Sequence, residues 1–492
     1  MRTLLLIALL SLGLAPLREP VRAASGPGGK TSALAPDEPA KSARQADRAP
    51  EELDQADGVA VGPRIEARRE YRVTFGPWSG TVSIPDSIDL LDLVDRIRGF
   101  LGIIAILSAA VFLSENRRAI SRRVVFWGLA LQWGFALLVL RVPAGIQVMR
   151  VAGKAVQAVL DCALEGARMV FGAGLTDDRG PAGFVFAFRL LPTVIFVAAL
   201  FAVLYHLGIM QWVVRIFAVI MAWLLGTSGA ESLDVAASFF LGQTEAPLTI
   251  RPYLSTLTKS ELLTVMTAGM AHVSGGIMAV YFAYGVEPRH IITAVIMTAP
   301  GAILLSKLLI PETETPATLG RVRPVQDQSD ANVLDAAARG TRDGLHLALN
   351  IAAMLIAFLG LIALLNLILG MFHTSLQAIF GWLLAPVAYM MGVAWEDCRG
   401  VGSLLGTRTV LNELIAFQEL GKMKAQLLDR SFVISSFALC GFANFSSIGI
   451  QLGGIGALAP DRRQDLARLG FRALLAGTLA NFLSACIAGI LL

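Results

Sequence analysis

Charged residues are scarce in this 492-residue chain: Asp, Glu, Lys and Arg make up only 16% of it. Soluble proteins usually contain about a quarter charged residues. Hydrophobic residues account for 55% of the chain, and the mean hydropathy is +0.65. The net charge of +4 is small for this length, and no basic stripe with interleaved aromatic residues suited to nucleic acid is present. The composition predicts an integral membrane protein in a lipid bilayer, without a nucleic-acid partner.

The chain also has few residues of the kinds that bind transition metals or form disulfides. Its four cysteines and five histidines lack the spacing of metal ligands. The cysteines are widely separated and are interpreted as small buried hydrophobic residues. No Ser–His–Asp set and no phosphate-binding Gly–Lys loop is present in the sequence. These absences argue against a membrane-embedded hydrolase or transferase, and the sequence predicts no enzymatic cofactor.

The first residues have the layout of a signal peptide. A single Arg precedes an apolar run from Leu4 to Leu14, and small residues follow near Ala23. We predict a cleaved signal peptide at 1–23; the alternative is an uncleaved anchor helix. Residues 24–97 form an exported segment whose polar, Pro-rich composition predicts disorder, with a small β element and an amphipathic helix at its end.

Long apolar runs predict helices rather than the strands of an outer-membrane barrel. The predicted fold class is an all-α polytopic membrane protein with about eight transmembrane helices, two re-entrant hairpins in an inverted repeat, and interfacial helices. The predicted spans are 99–114, 124–141, 182–206, 261–284, 288–310, 345–371, 431–451 and 470–491. The predicted divisions of the membrane part are 98–225, 226–310 for the first hairpin repeat, a polar cytoplasmic loop at 311–343, and 344–492 for the second.

Two segments fit neither a span nor a loop. One is 230–256 and the other is about 376–420, and each has two short apolar arms around a polar tip. A helix interrupted by small and polar residues follows each of them. Irregular backbone at membrane depth needs cover from protein or from a water-filled cavity. On the span count the two hairpins enter from opposite sides, which is the inverted repeat of many secondary transporters.

Positive charge predicts the orientation. The sequence ENRRAISRR after the first span is typical of a loop on the inside, and DRRQDLARLGFR before the last span falls on the same side. A cleaved signal peptide puts the new N-terminus outside. Together these features predict a multi-pass protein of the cell (inner) membrane with an exported N-terminal segment and the C-terminus outside.

The hairpin tips and the second interrupted helix contain the most costly polar residues of the apolar region. They are Gln243, Thr244 and Glu245, Asn412 and Glu413, and Asn444, Ser446 and Ser447. An amide with a carboxylate can bind the edge of a heterocycle, and a carboxylate with Asn suits vicinal hydroxyls. The alternative is that they join helices, which we favour for Ser446 alone. Glu231 and Asp234 are expected to cap the start of the first hairpin.

Three segments carry a family resemblance. FLGQTEAPLTIRPYL, LLGTRTVLNEL and GFANFSSIGIQLGGIG resemble the signature segments of concentrative nucleoside transporters, and the resemblance runs from about Leu101 to the C-terminus. It implies a homotrimer that imports purine or pyrimidine nucleosides by an elevator-like motion. It implies that the nucleobase meets Gln243, Thr244, Glu245 and Ile277. It implies that the ribose meets Glu413, Asn444 and Ser447, with Phe442 lining the pocket.

The coupling ion is where the sequence departs from this family. Sodium-coupled members of the family resemble one another in having an Asn at the position of Ser238 and a Ser or Thr at the position of His272. The backbone carbonyls of Leu241 and Val273 would complete that site. A histidine nitrogen is poorly suited to sodium, which prefers oxygen ligands, whereas histidine titrates near neutral pH. Sodium and proton coupling therefore both remain open, as does the alternative that His272 only hydrogen-bonds within its helix.

Two other classes of function compete with transport. One is a membrane-embedded enzyme, and the other is a sensor or receptor that binds a nucleoside-like ligand without moving it. The intact polar tips argue against a bundle that only anchors the exported segment. The sequence therefore predicts a secondary active transporter rather than an enzyme.

Overall fold

A computed structural model of the protein describes residues 68–75, 78–85, 90–176, 185–320 and 330–492. The predicted signal peptide and most of the predicted exported segment lie outside the described residues. Part of the predicted cytoplasmic loop at 311–343 also lies outside them. The described helices all belong to one compact unit.

Two strands precede the helices. β1 (Arg68–Phe75) and β2 (Trp78–Pro85) pair in a two-stranded sheet. The second strand begins at Trp78, within the Gly-Pro-Trp-Ser-Gly sequence, so both strands lie in the segment where the sequence predicts a small β element.

Ten α-helices precede the long polar loop among the described residues, and the chain bends sharply between the fifth and the sixth. Their bounds are α1 Leu90–Phe112, α2 Arg122–Leu140, α3 Pro143–Phe171, α4 Ala173–Thr176, α5 Phe186–His206, α6 Ile209–Leu225, α7 Gly229–Ala237, α8 Lys259–Ala271, α9 Gly275–Ala283 and α10 Pro288–Leu309. A 3₁₀ helix, Ala246–Thr256, lies between α7 and α8. The bend between α5 and α6 is 77°, and Gly208 turns the chain there with a positive φ of 78°.

The remaining helices follow the loop. Their bounds are α11 Val333–Gly370, α12 Leu376–Met390, α13 Cys398–Val410, α14 Glu413–Lys422, α15 Asp429–Leu439, α16 Phe445–Leu458 and α17 Arg463–Leu491. Short 3₁₀ turns, Trp395–Asp397 and Pro460–Arg462, precede α13 and α17.

By length and apolar composition, four helical segments among the described residues are able to cross a membrane. They are Arg122–Leu140, Lys259–Ala283, Pro288–Leu309 and Pro460–Leu491, and the bent pair α5–α6 would make a fifth. The other predicted spans lie on α1, on α11 and on the interrupted pair α15–α16. The prediction of an all-α polytopic membrane protein with re-entrant features is confirmed.

Both re-entrant hairpins have short arms. The first consists of α7 and the 3₁₀ helix, joined by the tip at residues 238–245. The second consists of α13 and α14, which meet at Leu411 and Asn412. The helix α12 is separated from α13 by a 3₁₀ turn, so the arms of this hairpin cover only the later part of the predicted segment 376–420. Each hairpin is followed by a broken helix and a long final helix, as an inverted repeat requires.

Capping boxes begin the elements around the first hairpin. At α7, the Ser228 hydroxyl accepts from the Glu231 N–H while the Glu231 carboxylate accepts from the Ser228 N–H. Thr258 and Glu261 repeat this arrangement at α8. Glu231 therefore caps its helix as expected. The same expectation is wrong for Asp234, which lies inside α7 and whose carboxylate makes no hydrogen bond within the described structure.

Candidate functional site

Two breaks in helices meet at the centre of the bundle. The chain leaves helical geometry between α8 and α9 at residues 272–274, and between α15 and α16 at residues 440–444. The Phe442 N–H donates to the His272 carbonyl at 3.2 Å and joins the two breaks directly. Because a helix break frees main-chain polar groups, these groups need partners at membrane depth.

Asn481 on α17 supplies partners to both breaks. Its Nδ2 donates to the Ala271 carbonyl at 2.8 Å and to the Cys440 carbonyl at 2.7 Å. The guanidinium of Arg408, on α13, donates to the Asn481 Oδ1 at 2.6 Å. Arg408 is fully buried and also donates to the Ala438 carbonyl at 2.8 Å. A charged group thus satisfies the carbonyl end of α15, where the helix dipole favours a cation.

The first hairpin tip contacts the second interrupted helix. The Gln243 Nε2 donates to the Ser447 Oγ at 3.1 Å, and both side chains are buried. The Thr244 side chain packs against Gly454 on α16 so closely that a methyl group at Gly454 would overlap it. Residues expected to meet a nucleobase and a ribose therefore already touch.

The second tip forms a compact polar group around Glu413. The Asn444 Nδ2 donates to the Glu413 Oε2 at 3.2 Å, and the Tyr281 hydroxyl donates to the Oε1 at 3.4 Å. The Tyr281 ring in turn stacks on Phe417, with centroids 4.0 Å apart. Glu413 is 4% exposed, so these donors are its main replacement for water. Asn412 instead caps α14, because its Oδ1 accepts from the Ile415 N–H at 3.0 Å.

Hydrogen bonds connect the two tips into one chain of polar groups. Asn444 caps α16 through its Oδ1, which accepts from the Ser447 N–H at 2.9 Å and from the Ser446 hydroxyl at 2.6 Å. The path from Gln243 to Glu413 therefore runs through Ser447 and Asn444. The Ser446 hydroxyl bonds to Asn444, two residues earlier in the chain, and not to a neighbouring helix as the helix-packing interpretation expects. Ile277 and Phe442 are both buried apolar side chains, on α9 and in the second break.

A cavity of about 310 Å³ lies beside the first tip, between α5 and α11. Its lining includes Glu245 and Leu241 from the hairpin, Ser274 from the first break, and Tyr205 from α5. Glu245 is exposed, and its Oε2 accepts from the Gly242 N–H at 3.1 Å. Glu245 thus faces this cavity, whereas Gln243, Glu413, Asn444 and Ser447 are not among its lining residues.

An ion pair borders the same cavity. The Arg339 guanidinium donates through Nε and Nη2 to the two carboxylate oxygens of Asp330, at 2.7 and 2.8 Å. Hydrogen bonding to Arg339 holds the pKa of Asp330 below its usual range, so the pair stays ionised at neutral pH.

Two of the predicted cation positions, Ser238 and His272, have buried side chains that already make hydrogen bonds. The Ser238 hydroxyl donates to the Asp234 carbonyl at 2.9 Å. The His272 Nδ1 lies 2.9 Å from the Ala268 carbonyl, which is the hydrogen bond within its own helix that the sequence left open as an alternative. Val273 is fully buried, and Leu241 lines the cavity. No group of three or more His, Cys, Asp or Glu suited to a metal ion occurs in the described part of the chain.

Sequence reasoning missed several residues that the structure places around the site. Tyr281 lies one helical turn after Ile277, and that spacing on α9 was an available signal. Tyr205 ends an apolar helix and carries a hydroxyl into the cavity. Arg408 lies in an arm of the second hairpin and Asn481 in a membrane-spanning helix, which marks both polar residues as costly, but nothing in the sequence pairs them.

Three family models match successive parts of the chain. They are described as "Na+ dependent nucleoside transporter N-terminus" over residues 101–174, "Nucleoside recognition" over 187–286, and "Na+ dependent nucleoside transporter C-terminus" over 290–489. Together they include both hairpins, both breaks and every residue of the polar chain.

Curated relatives cover the same part. An uncharacterized transporter of Haemophilus influenzae is 44% identical over 407 residues, which is 80% of this chain and 97% of that protein. Sodium/nucleoside cotransporter 1 of Rattus norvegicus is 40% identical over 428 residues, covering 82% of this chain and 65% of that protein.

Solved structures resemble the fold closely. CNTnw in an inward-facing substrate-bound state has a TM-score of 0.77 at 41% identity, covering 80% of this chain and 98% of that one. A doubly substituted CNTnw in an outward-facing state has a TM-score of 0.78 at 41% identity, covering 81% and 99%.

Proposed function

This chain belongs to the concentrative nucleoside transporter family, and on that premise we propose that it imports nucleosides by secondary active transport. The import is coupled to a gradient of sodium ions or protons. The observation that carries this proposal is the continuous polar chain from Gln243 to Glu413, which unites the two hairpin tips inside an apolar bundle.

The hydrogen-bond donors and acceptors of this polar chain of side chains suit a nucleoside, with the base at one end and the sugar at the other. Gln243 presents an amide, which can both donate to and accept from a nucleobase edge, and Thr244 and Glu245 extend that end. Ile277 offers an apolar contact to the flat base. Glu413 and Asn444 suit the vicinal hydroxyls of a ribose, with Ser447 between the two ends and Phe442 against the sugar. A bound nucleoside replaces the internal hydrogen bonds that these side chains make to one another.

The coupling cation belongs near the first break in this proposal. Ser238 and His272 lie at the ends of α7 and α8, and the carbonyls of Leu241 and Val273 are close to them in sequence. Three observations bear on the ion. The matching family is described as Na+ dependent, which favours sodium. The side chain of His272 has no oxygen atom, which disfavours sodium. The contact of its Nδ1 with the Ala268 carbonyl also gives His272 a structural role.

Transport itself requires alternating access, and we propose an elevator-like movement of the hairpins and broken helices against α5 and α11. The relative CNTnw has been solved in inward- and outward-facing states, which supports two end states for the family. We further propose a homotrimer in the inner membrane, with the exported segment and the C-terminus outside. Exposed apolar residues on α6 and α11, such as Trp223 and Ile356, offer surfaces to lipid or to neighbouring subunits.

Uptake into proteoliposomes tests the proposal. Purified protein is reconstituted, and accumulation of radiolabelled uridine and adenosine is measured with an inward sodium gradient at equal pH, or with an inward proton gradient without sodium. We expect accumulation against the nucleoside gradient under one of these conditions. Protein-free vesicles and vesicles with collapsed gradients are the controls.

The alternatives give different outcomes. A membrane-embedded enzyme would convert the nucleoside, which chromatography of the recovered label detects. A sensor would be stabilised against heat by uridine without any accumulation. Full accumulation on a proton gradient without sodium would eliminate sodium coupling, and the reverse result would eliminate proton coupling.

A further inference from the structure

Asp234 is a fully buried carboxylate without a partner. Its exposed fraction is 0%, and neither carboxylate oxygen has a hydrogen bond within the described residues. Removing an ionised carboxylate from water costs several kcal/mol unless a cation or strong donors replace the water. A proton or a bound cation therefore neutralises Asp234 in the folded protein.

The other acid of α7, Glu231, already has a counter-charge. Glu231, about one turn before Asp234, forms an ion pair with Lys307 of α10 at 2.8 Å and accepts from the Ser228 N–H. Lys307 also contacts Glu312 at 3.2 Å and donates to the Ser260 hydroxyl at 3.0 Å. This lysine is occupied by two other carboxylates, so it leaves Asp234 without a fixed counter-charge.

The elements packed against α7 supply few other charges. On α8, Glu261 caps its own helix. His272 is the C-cap residue of α8; its Nδ1 lies on the Ala268 carbonyl and its ring packs against Phe239, with centroids 5.7 Å apart. Arg215 on α6 and Arg251 on the 3₁₀ helix are exposed. Within the part of the chain that the structure describes, no lysine, arginine or histidine of these elements donates a hydrogen bond to the Asp234 carboxylate.

Hydroxyl oxygens are available on the same helix and on α8, which packs against it. Ser238 lies one helical turn after Asp234, and its hydroxyl donates to the main-chain carbonyl of Asp234, which leaves its lone pairs free. Thr267, on the adjacent helix α8, is fully buried, and its hydroxyl also lacks a partner within the described structure. Carboxylate and hydroxyl oxygens are the ligands that a hard cation prefers.

We infer that the Asp234 carboxylate is the acceptor of the coupling cation, a proton or a sodium ion, in the arm of the first hairpin. This inference rests on the transport function proposed above. It adds to the predicted cation positions a carboxylate that lies one helical turn before Ser238 on α7. The cation neutralises the carboxylate and so lowers the cost of carrying it through the apolar bundle. With no cation bound, the ionised hairpin resists that movement.

The test replaces the acceptor by its neutral isostere, Asp234→Asn. Three measurements on reconstituted protein are compared with the unsubstituted protein: accumulation on a sodium gradient, accumulation on a proton gradient, and uridine counterflow without an ion gradient. We expect Asp234→Asn to lose gradient-driven accumulation while keeping counterflow and stabilisation by uridine. The matched control is Glu165→Gln, an exposed acid on α3, which should behave as the unsubstituted protein.

Measurements of cation binding distinguish sodium from protons and do not require transport. If the ion is sodium, sodium chloride but not choline chloride raises the unfolding temperature of the detergent-solubilised protein, and Asp234→Asn loses this shift. If the ion is a proton, uridine binding in weakly buffered detergent solution takes up protons, and Asp234→Asn loses this uptake. Asp234→Glu, which retains the carboxylate, should recover either signal at least in part.

Several results would overturn the inference. Unchanged gradient-driven accumulation by Asp234→Asn contradicts the inference. A parallel loss of accumulation, counterflow and uridine binding in both Asp234 variants also contradicts it, because that pattern indicates a purely structural role. If the unsubstituted protein accumulates no nucleoside, the proposed function fails instead. The cation-binding measurements then still decide whether Asp234 takes up an ion.

Discussion

The guanidinium of Arg408 donates to the side-chain oxygen of Asn481 at 2.6 Å, deep inside the bundle. Through this bond a residue of the second hairpin orients the amide that serves both helix breaks. The Asn481 Nδ2 is thereby directed at the carbonyls of Ala271 and Cys440, which end α8 and α15. One side chain on the final helix of the second repeat thus connects the helix breaks of both repeats.

Replacing this amide should destabilise the protein strongly. Asn481→Ala removes the donor of both carbonyls and leaves Arg408 short of an acceptor. Each unsatisfied buried group costs about 1–3 kcal/mol. We expect a large fall in the unfolding temperature in detergent. The matched control is Asn366→Ala, because Asn366 bonds Gln377 and the Leu376 N–H at a half-buried helix end. Equal effects of the two substitutions would contradict the special role of Asn481.

Two adjacent glycines on α16 should respond oppositely to alanine. A methyl group at Gly454 overlaps Thr244 of the first tip, whereas one at Gly453 meets nothing within 4 Å. Overpacking costs about 1–3 kcal/mol, so Gly454→Ala should displace the tip and weaken uridine binding. Gly453→Ala should stabilise the helix by up to about 1 kcal/mol. Thermal unfolding and uridine titration of both variants measure this contrast, and indistinguishable variants would refute the contact.

The Glu413 carboxylate should matter more for a nucleoside than for its base. Glu413→Gln keeps the shape but loses a charged acceptor, whose hydrogen bonds contribute about 1.5–3 kcal/mol. We expect uridine affinity to fall about 10- to 100-fold and uracil affinity to change little. Titration of both ligands measures the ratio. Equal losses would undo the assignment of Glu413 to the ribose.

The buried pair Lys307–Glu231 should show strong non-additivity. Lys307→Met leaves Glu231 without its counter-charge, and breaking a buried pair costs about 3–5 kcal/mol. The double substitution with Glu231→Gln should recover part of that loss. Unfolding in mixed micelles gives the free energies. The exposed pair Arg168–Glu165 is the control, since Arg168→Met should cost at most about 1 kcal/mol. Additive effects at Lys307 would show that the two charges act independently.

Local patterns made much of this architecture predictable. The capping box at Ser228 and Glu231 and the polar tip at Gln243 are contained in short stretches of sequence, and so are the small residues around His272 and Asn444. What the sequence left open depends on distant partners. The Gln243–Ser447 bond joins residues 204 positions apart. Among the described residues, Asp234 lacks a counter-charge because Lys307 contacts two other acids, Glu231 and Glu312. Period and composition carry no information about such pairings.

The bond between Gln243 and Ser447 has a consequence for selectivity against the surrounding lipid. A molecule that separates these side chains has to replace their hydrogen bond, or each buried polar group costs about 1–3 kcal/mol. Hydrocarbon chains and sterol-like compounds offer no donor or acceptor, so they gain nothing by intruding. In the proposed transporter, the closed pair therefore favours ligands rich in hydrogen-bonding groups, which water dissolves well, over the hydrocarbon of the surrounding lipid.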